Sequence, residues 1–374
     1  MSLAITSDQT DLRDTTRRFL AATTPITRVR ETMTSPTAFD EVLWRQLTQD
    51  LGLPGLAVPE EDGGAGLSLQ DLSYVAEECG RVLAPGPLIS TCGLAVPLLL
   101  ASGDEEARRT WLPRLVSGEI GTVAWQQLPS RDWKLRPSVV KAVPNPNSAR
   151  RWYLTGELSP VLDGGVADIL FVIADTDNGQ AVVAVDGTEV GVTRNILPNF
   201  DQTRGLGRVS LHSAPGTLVG HVGQGAELLA ATLDVAAVLL AAEMIGGAQA
   251  CLDMSVAYAK VRHQFGRPIG SFQAIKHKCA EVLVDIEGAR AAARYAAWCA
   301  VEDPATLPTA ATVAKASAAK AFFRAAAENV QIHGGIGATW EHDAHLYLKR
   351  AQASQSMFGN VGADRRRLAD LIGI

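Results

Sequence analysis

The chain reads as a mostly helical α+β protein: a helical N-terminal domain, a middle antiparallel β-domain and a C-terminal four-helix bundle. Three observations predict this. Apolar residues recur at helical spacing before about residue 120. Short β-branched runs punctuated by Asp-Gly and Asn-Gly turns follow. After Gly225 the pattern is helical again and rich in alanine. The predicted domains are 1–120, 121–225 and 226–374.

The first domain opens with Ser7/Asp8 as a helix N-cap, followed by Leu12, Thr16, Phe19 and Leu20 on one face. Phe39–Leu51 repeats the pattern with Val42, Leu43, Trp44 and Leu47. A Gly/Pro-rich loop spans Pro54–Leu67, and helical periodicity resumes over Asp71–Arg81 and Glu105–Val116. The runs Ile169–Ala174 and Ala181–Val185, set off by Asp163-Gly164, Asn178-Gly179 and Asp186-Gly187, read as antiparallel strands with tight turns. The alanine-rich stretch 309–327 suits a buried bundle helix, because small side chains let helices approach closely.

Composition excludes several classes. The 374 residues are 47% apolar and 20% charged, with a net charge of −6, so neither nucleic acid nor an anionic membrane is the expected partner. Five cysteines at 79, 92, 251, 279 and 299, none in metal-type spacing, point to reduced thiols. The N-terminus lacks the basic and apolar regions of a secretory signal, and Leu94–Ala101 is too short to span a bilayer. A cytoplasmic protein is expected. The Arg365-Arg366-Arg367 run, flanked by Asp364 and Asp370, reads as a solvated helix face.

Two segments in the last third carry the chemistry. One is Arg262-His263-Gln264-Phe265-Gly266-Arg267-Pro268-Ile269-Gly270-Ser271-Phe272-Gln273; the other is Gln331-Ile332-His333-Gly334-Gly335-Ile336-Gly337. Arg262 offers a planar fork suited to paired phosphates. Gln264 and Gln273 add neutral donors, Phe265 an apolar wall, and Gly266 a backbone without Cβ. A glycine pair after a helix opens main-chain N–H groups to an anion or ring edge. Taken alone, Arg262 would be a surface ion pair and Gly334-Gly335 a helix C-cap. His333 reads as a packed residue and His263 as exposed.

Together with Val58-Pro59-Glu60, Gly63-Gly64 and Ala167-Asp168, and in this order, the two segments resemble the acyl-CoA dehydrogenase family over essentially the whole chain. The resemblance implies FAD, contacted by Arg262, Gln264, Phe265, Gly266, Gln273, Gln331, Gly334 and Gly335, partly across a subunit interface. It implies α,β-desaturation of an acyl-CoA thioester, with electrons passed to an electron-transfer flavoprotein.

The family's catalytic carboxylate is absent. Its two alternative positions match Gly359 and Ala236, and Ala237 follows the latter. Loss of a general base typically costs about 10²–10⁴ in rate. Glu243, seven residues past Ala236 and about 10.5 Å further along the same helix face, is the substitute candidate; its other reading is a buried ion pair that fixes packing. The flavin-ring segment is also atypical at Val123–Ser130, and the stretch that packs on the flavin has no clear counterpart near Leu158-Ser159-Pro160. The pattern is similar to the non-catalytic subunit of heterotetrameric acyl-CoA dehydrogenases acting in fatty-acid β-oxidation or steroid side-chain degradation, which implies a paralogous partner in a dimer or tetramer. Two rivals are an autonomous homotetramer using Glu243 as base and a non-enzymatic acyl-CoA-binding scaffold.

Overall fold

The computed structural model describes residues 5–125 and 137–374, and among them helices precede, and then follow, a β-region. The first helices are α1 (Ser7–Thr23), α2 (Ile26–Thr34), α3 (Glu41–Leu51), α4 (Leu69–Arg81), α5 (Val96–Ala101) and α6 (Glu105–Val116). The strands are β1 (Gly121–Ala124), β2 (Lys141–Asn145), β3 (Ser148–Leu162), β4 (Ile169–Thr176), β5 (Gly179–Asp186), β6 (Val192–Ile196) and β7 (Leu206–Val219). Then come α7 (Gly225–Val261), a small hairpin of β8 (His263–Gln264) and β9 (Arg267–Pro268), α8 (Gln273–Glu302), α9 (Leu307–His333), α10 (Ala344–Ser354) and α11 (Val361–Ile372). Where four C-terminal helices were expected, three are long and two short.

Local chemistry sets the ends. Thr6 caps α1 in a reciprocal box with Gln9, and Asp40, Asp104 and Asn360 cap α3, α6 and α11 through their side chains. Helix α3 stops at Gly52, which takes the left-handed conformation with φ 61°. Two features escaped the sequence pattern: α2, and a π-helical stretch over Leu88–Ala95 whose residues are all buried. An all-apolar run has no periodic contrast to reveal its winding.

The residues form two compact units. One comprises Glu31–Ser68 and Pro85–Ala236; the other comprises the chain up to Arg30, Leu69–Ala84 and Ala237–Ile374. The boundary falls inside α7.

In the first unit the sheet closes into a barrel. Its order is β1-β4-β2-β3-β7-β5, and β5 returns to pair with β4, while β6 adds to β7. The hairpin β4–β5 is antiparallel, with Thr176 opposite Gly179, as the Asn178-Gly179 turn predicts. The expectation of an all-antiparallel region needs correction: β1 and β4 run parallel, Gly121 opposite Ile169, as do β2 and β4 at Lys141 and Asp175. These strands are far apart in sequence, so no turn signal announces their pairing. Ile169–Ala174 and Ala181–Val185 are buried throughout, the continuous apolar reading of barrel-core strands.

The second unit is a helical bundle built on α7. An 18-residue window of this helix is apolar enough by length and composition to cross a membrane, and 83% of that window is buried within the protein. Glycines let α4 lie against it. A Cβ on Gly80 would stand 1.9 Å from the Glu243 carbonyl oxygen, and one on Gly246 would stand 1.8 Å from that of Glu77. The two backbones touch, so neither position tolerates a side chain.

Three ties fix the register of α7 on α9. Gly247 faces the Phe322 ring, Ser255 Oγ lies 3.0 Å from Asn329 Oδ1, and the Tyr258 ring stacks on His333 at 4.3 Å. Residue numbers rise together along both helices, so the two run parallel.

Candidate functional site

The parallel register decides where the two signature segments lie. Arg262 follows Tyr258 by one turn, and Gln331, Gly334 and Gly335 flank His333, so both segments emerge at the same end of the bundle.

The first segment is the β8–β9 hairpin. Its turn residues Phe265 and Gly266 have φ 53° and 76°, the two positive values of a tight two-residue turn. Glycine adopts this freely; phenylalanine does so at a cost. Phe265 is also 91% exposed and makes an edge contact to Phe272 at 6.1 Å. The Arg262 main chain is anchored: its N–H donates to Tyr258 O at 2.9 Å, and its carbonyl accepts from Ile269 N–H at 2.8 Å. Its guanidinium, like the side-chain amides of Gln264, Gln273 and Gln331, is exposed and has no partner among the described residues.

The second segment is the end of α9. Gly334 has φ 67° and ψ −143° and turns the chain immediately after His333. Gly335 differs: its φ is not positive, and an added Cβ would meet nothing within 4 Å. Nothing inside the chain requires glycine there. Free donors, an exposed aromatic wall and open glycine backbone at one end of the bundle fit a ligand that carries both phosphates and flat rings, as FAD does.

Neither matched base position holds an acid. Ala236 is buried on α7. Gly359 has φ 104°, follows Phe358 at φ 56°, and its carbonyl accepts a 2.7 Å hydrogen bond from Lys315 Nζ. The same ammonium donates to both oxygens of Asp364, at 2.8 and 3.0 Å. Lys315 and Asp364 are fully buried, which corrects the reading of Asp364 as a surface charge beside the arginine run. Burial pulls the Lys315 ammonium below its usual range and pushes the Asp364 carboxyl above its own. Arg367 of that run turns back to Thr312, at 3.2 Å, rather than standing free in solvent.

Glu243 is the substitute candidate, and it is already engaged. Its Oε1 accepts from Arg350 Nη1 at 2.7 Å inside the bundle, which is the packing role. His263 is exposed, and His333 is buried as a packed residue. In the barrel, Leu158-Ser159-Pro160 lies in β3, while Gln126–Ser130 of the flavin-ring segment falls outside the described residues.

Helices before and after a closed barrel, with a donor-rich end on the second bundle, define a fold shared with flavin-dependent dehydrogenases. Comparison with known proteins agrees. The family models of the acyl-CoA dehydrogenase N-terminal and C-terminal domains match residues 6–119 and 223–372. The acyl-CoA dehydrogenase IpdE2 of Mycobacterium tuberculosis (strain ATCC 25618 / H37Rv) is 36% identical over 96% of this chain and 95% of its own. Among solved structures, the Tcur3481-Tcur3483 steroid ACAD G363A variant is 33% identical over 98% of each chain, with a TM-score of 0.86. The ChsE4-ChsE5 complex from Mycobacterium tuberculosis is 30% identical over 100% of this chain and 99% of that one, with a TM-score of 0.87. The chain belongs to the acyl-CoA dehydrogenase family.

Proposed function

We propose that this chain is the base-lacking subunit of a hetero-oligomeric, FAD-dependent acyl-CoA dehydrogenase, paired with a paralogue that carries the catalytic carboxylate. The observation that carries this reading is Gly359. It stands where the family's base is expected, at a φ that disfavours any side chain, with its carbonyl tied to Lys315. Glu243 is already held by Arg350 inside the bundle, so its carboxylate is engaged in packing. Two similar structures are each named as a pair of differently named chains, one of them a steroid ACAD, which supports a divided site and a fatty or steroid side-chain acyl-CoA as substrate.

In this reading Arg262 would neutralise the pyrophosphate, and Gln264, Gln273 and Gln331 would supply donors to the cofactor. Phe265 and Gly266 would give it an apolar wall, and the main chain of Gly334 and Gly335 would offer it N–H donors. FAD bound there would supply a hydride acceptor for the acyl Cβ. The partner's carboxylate would take the proton from Cα, and an electron-transfer flavoprotein would take the electrons onward.

The test is to purify the chain by itself and record its visible absorbance with and without an acyl-CoA. Little bound flavin and no bleaching is the expected result. Stoichiometric flavin that bleaches on substrate addition would make the chain an autonomous enzyme and overturn the proposal.

A further inference from the structure

We propose that Tyr258, His333 and His342 are positioning residues: a column of three rings that holds the Arg262 hairpin and the Gly334-Gly335 turn at the spacing a ligand must bridge. The identity of that ligand rests on the flavin reading above; the column itself rests on geometry.

Each ring is held by a ring contact and lies beside a backbone hydrogen bond. Tyr258 stacks on His333 with centroids 4.3 Å apart and planes 29° apart. His342 lies 4.3 Å from His333, tilted by 48°. His333 Nδ1 lies 2.8 Å from Asn329 O, which can only accept, so this nitrogen carries the proton. His342 Nδ1 accepts from Ala344 N–H at 3.1 Å, so its proton, when neutral, sits on Nε2. The Arg262 N–H hangs from the carbonyl of Tyr258 itself. The rings thus join the end of α7, the end of α9 and the loop before α10.

The segments on either side present exposed side chains with donors to spare. Among the described residues the side chains of Arg262, Gln264 and Gln331 show no partner, whereas Arg290, Lys315, Lys320, Arg324 and Arg350 of the bundle are paired with carboxylates. An aliphatic side chain at 333 could fill the space, but it would not set a plane-to-plane separation.

The groups facing His342 are His333, Asp343, His345 and Arg30. Asp343 is already held by Arg30, through Nε and Nη2 at 3.0 and 2.8 Å. Burial, with His333 beside it, holds the His342 imidazole below its usual range, so this ring meets His333 as a neutral one.

The test compares His333→Ala, His333→Phe and Tyr258→Leu in the full chain. Two quantities are read: affinity for ADP, a soluble fragment with a pyrophosphate and a flat ring, and amide hydrogen exchange across residues 262–268 and 334–338. His333→Ala is expected to speed exchange in both segments and to weaken ADP binding about tenfold or more, since small misplacements of binding groups cost that much. His333→Phe, which keeps a ring, restores both, and Tyr258→Leu loosens both segments from the opposite helix. Unchanged exchange in the Arg262 hairpin in both His333→Ala and Tyr258→Leu overturns the positioning role. Faster exchange in a protein that binds no ADP upholds the column and removes the ligand instead.

Discussion

Arg350 and Glu243 meet at 2.7 Å inside the helical bundle, with side-chain exposures of only 3% and 6%. A pair this dry is costly to assemble and costlier to break, because removing one partner strands a buried charge.

Arg350→Met should therefore lower stability by about 3–5 kcal/mol, with the Glu243→Leu/Arg350→Met double variant recovering much of the loss. Chemical denaturation of the three proteins measures this. Glu243→Gln should change stability while leaving any turnover by the assembled enzyme intact. Abolished turnover with a normal fold would return Glu243 to the role of base.

Installing the missing acid should fail. Gly359→Glu forces a side chain onto φ 104°, a strain of about 1–3 kcal/mol, and disturbs the carbonyl that Lys315 binds. The expected outcome is a lower melting temperature and no acyl-CoA-dependent bleaching. Lys315→Met strands Asp364 and should cost about 3–5 kcal/mol, which Lys315→Met/Asp364→Leu should largely restore.

Acid should weaken the bundle through His342. Burial, with help from neighbouring His333, holds its imidazole below the usual value near 6.5. The unfolded chain then binds more protons than the folded one as pH falls below about 6.5, so stability declines there and levels off below the folded pKa. His345 is lowered as well, again chiefly by burial, and adds to the same window. Denaturation midpoints between pH 5 and 8 should show the slope, and His342→Gln should flatten part of it.

The thiols should react in two classes. Cys79, Cys92, Cys251 and Cys299 are buried, and burial pushes the Cys92 thiol up to about 12. Cys279 is partly exposed, though its thiol is raised too. Alkylation at pH 8 should label Cys279 first and the others only on unfolding. Mass spectrometry of the labelled peptides reads the order.

Much of this was legible beforehand, for identifiable reasons. Periodicity placed α4 and α6 within two residues, and the Asn-Gly turn placed the β4–β5 hairpin, because these signals are local. The turn at Gly334 was also legible, as a glycine pair after a helix; the β8–β9 hairpin at Phe265-Gly266 was not, since strands of two residues carry no alternation. What failed was non-local. The parallel pairing of β1 with β4 leaves no trace in either strand. Asp364 sits in a run of charges that reads as surface, and only Lys315, on another helix, reveals that it is buried. His333 read as packing alone, because its partners Tyr258 and His342 come from different elements.

Gly335 has a last consequence. Its backbone suits any residue, and a larger side chain there would point into open space. A survey that scores substitutions by melting temperature or soluble yield of the separate chain would therefore rank position 335 as freely variable. Its sensitivity would surface only in a screen that reads occupancy by a ligand or a second chain, so the two kinds of survey, laid side by side, would trace the contact surface without any structure of the assembly.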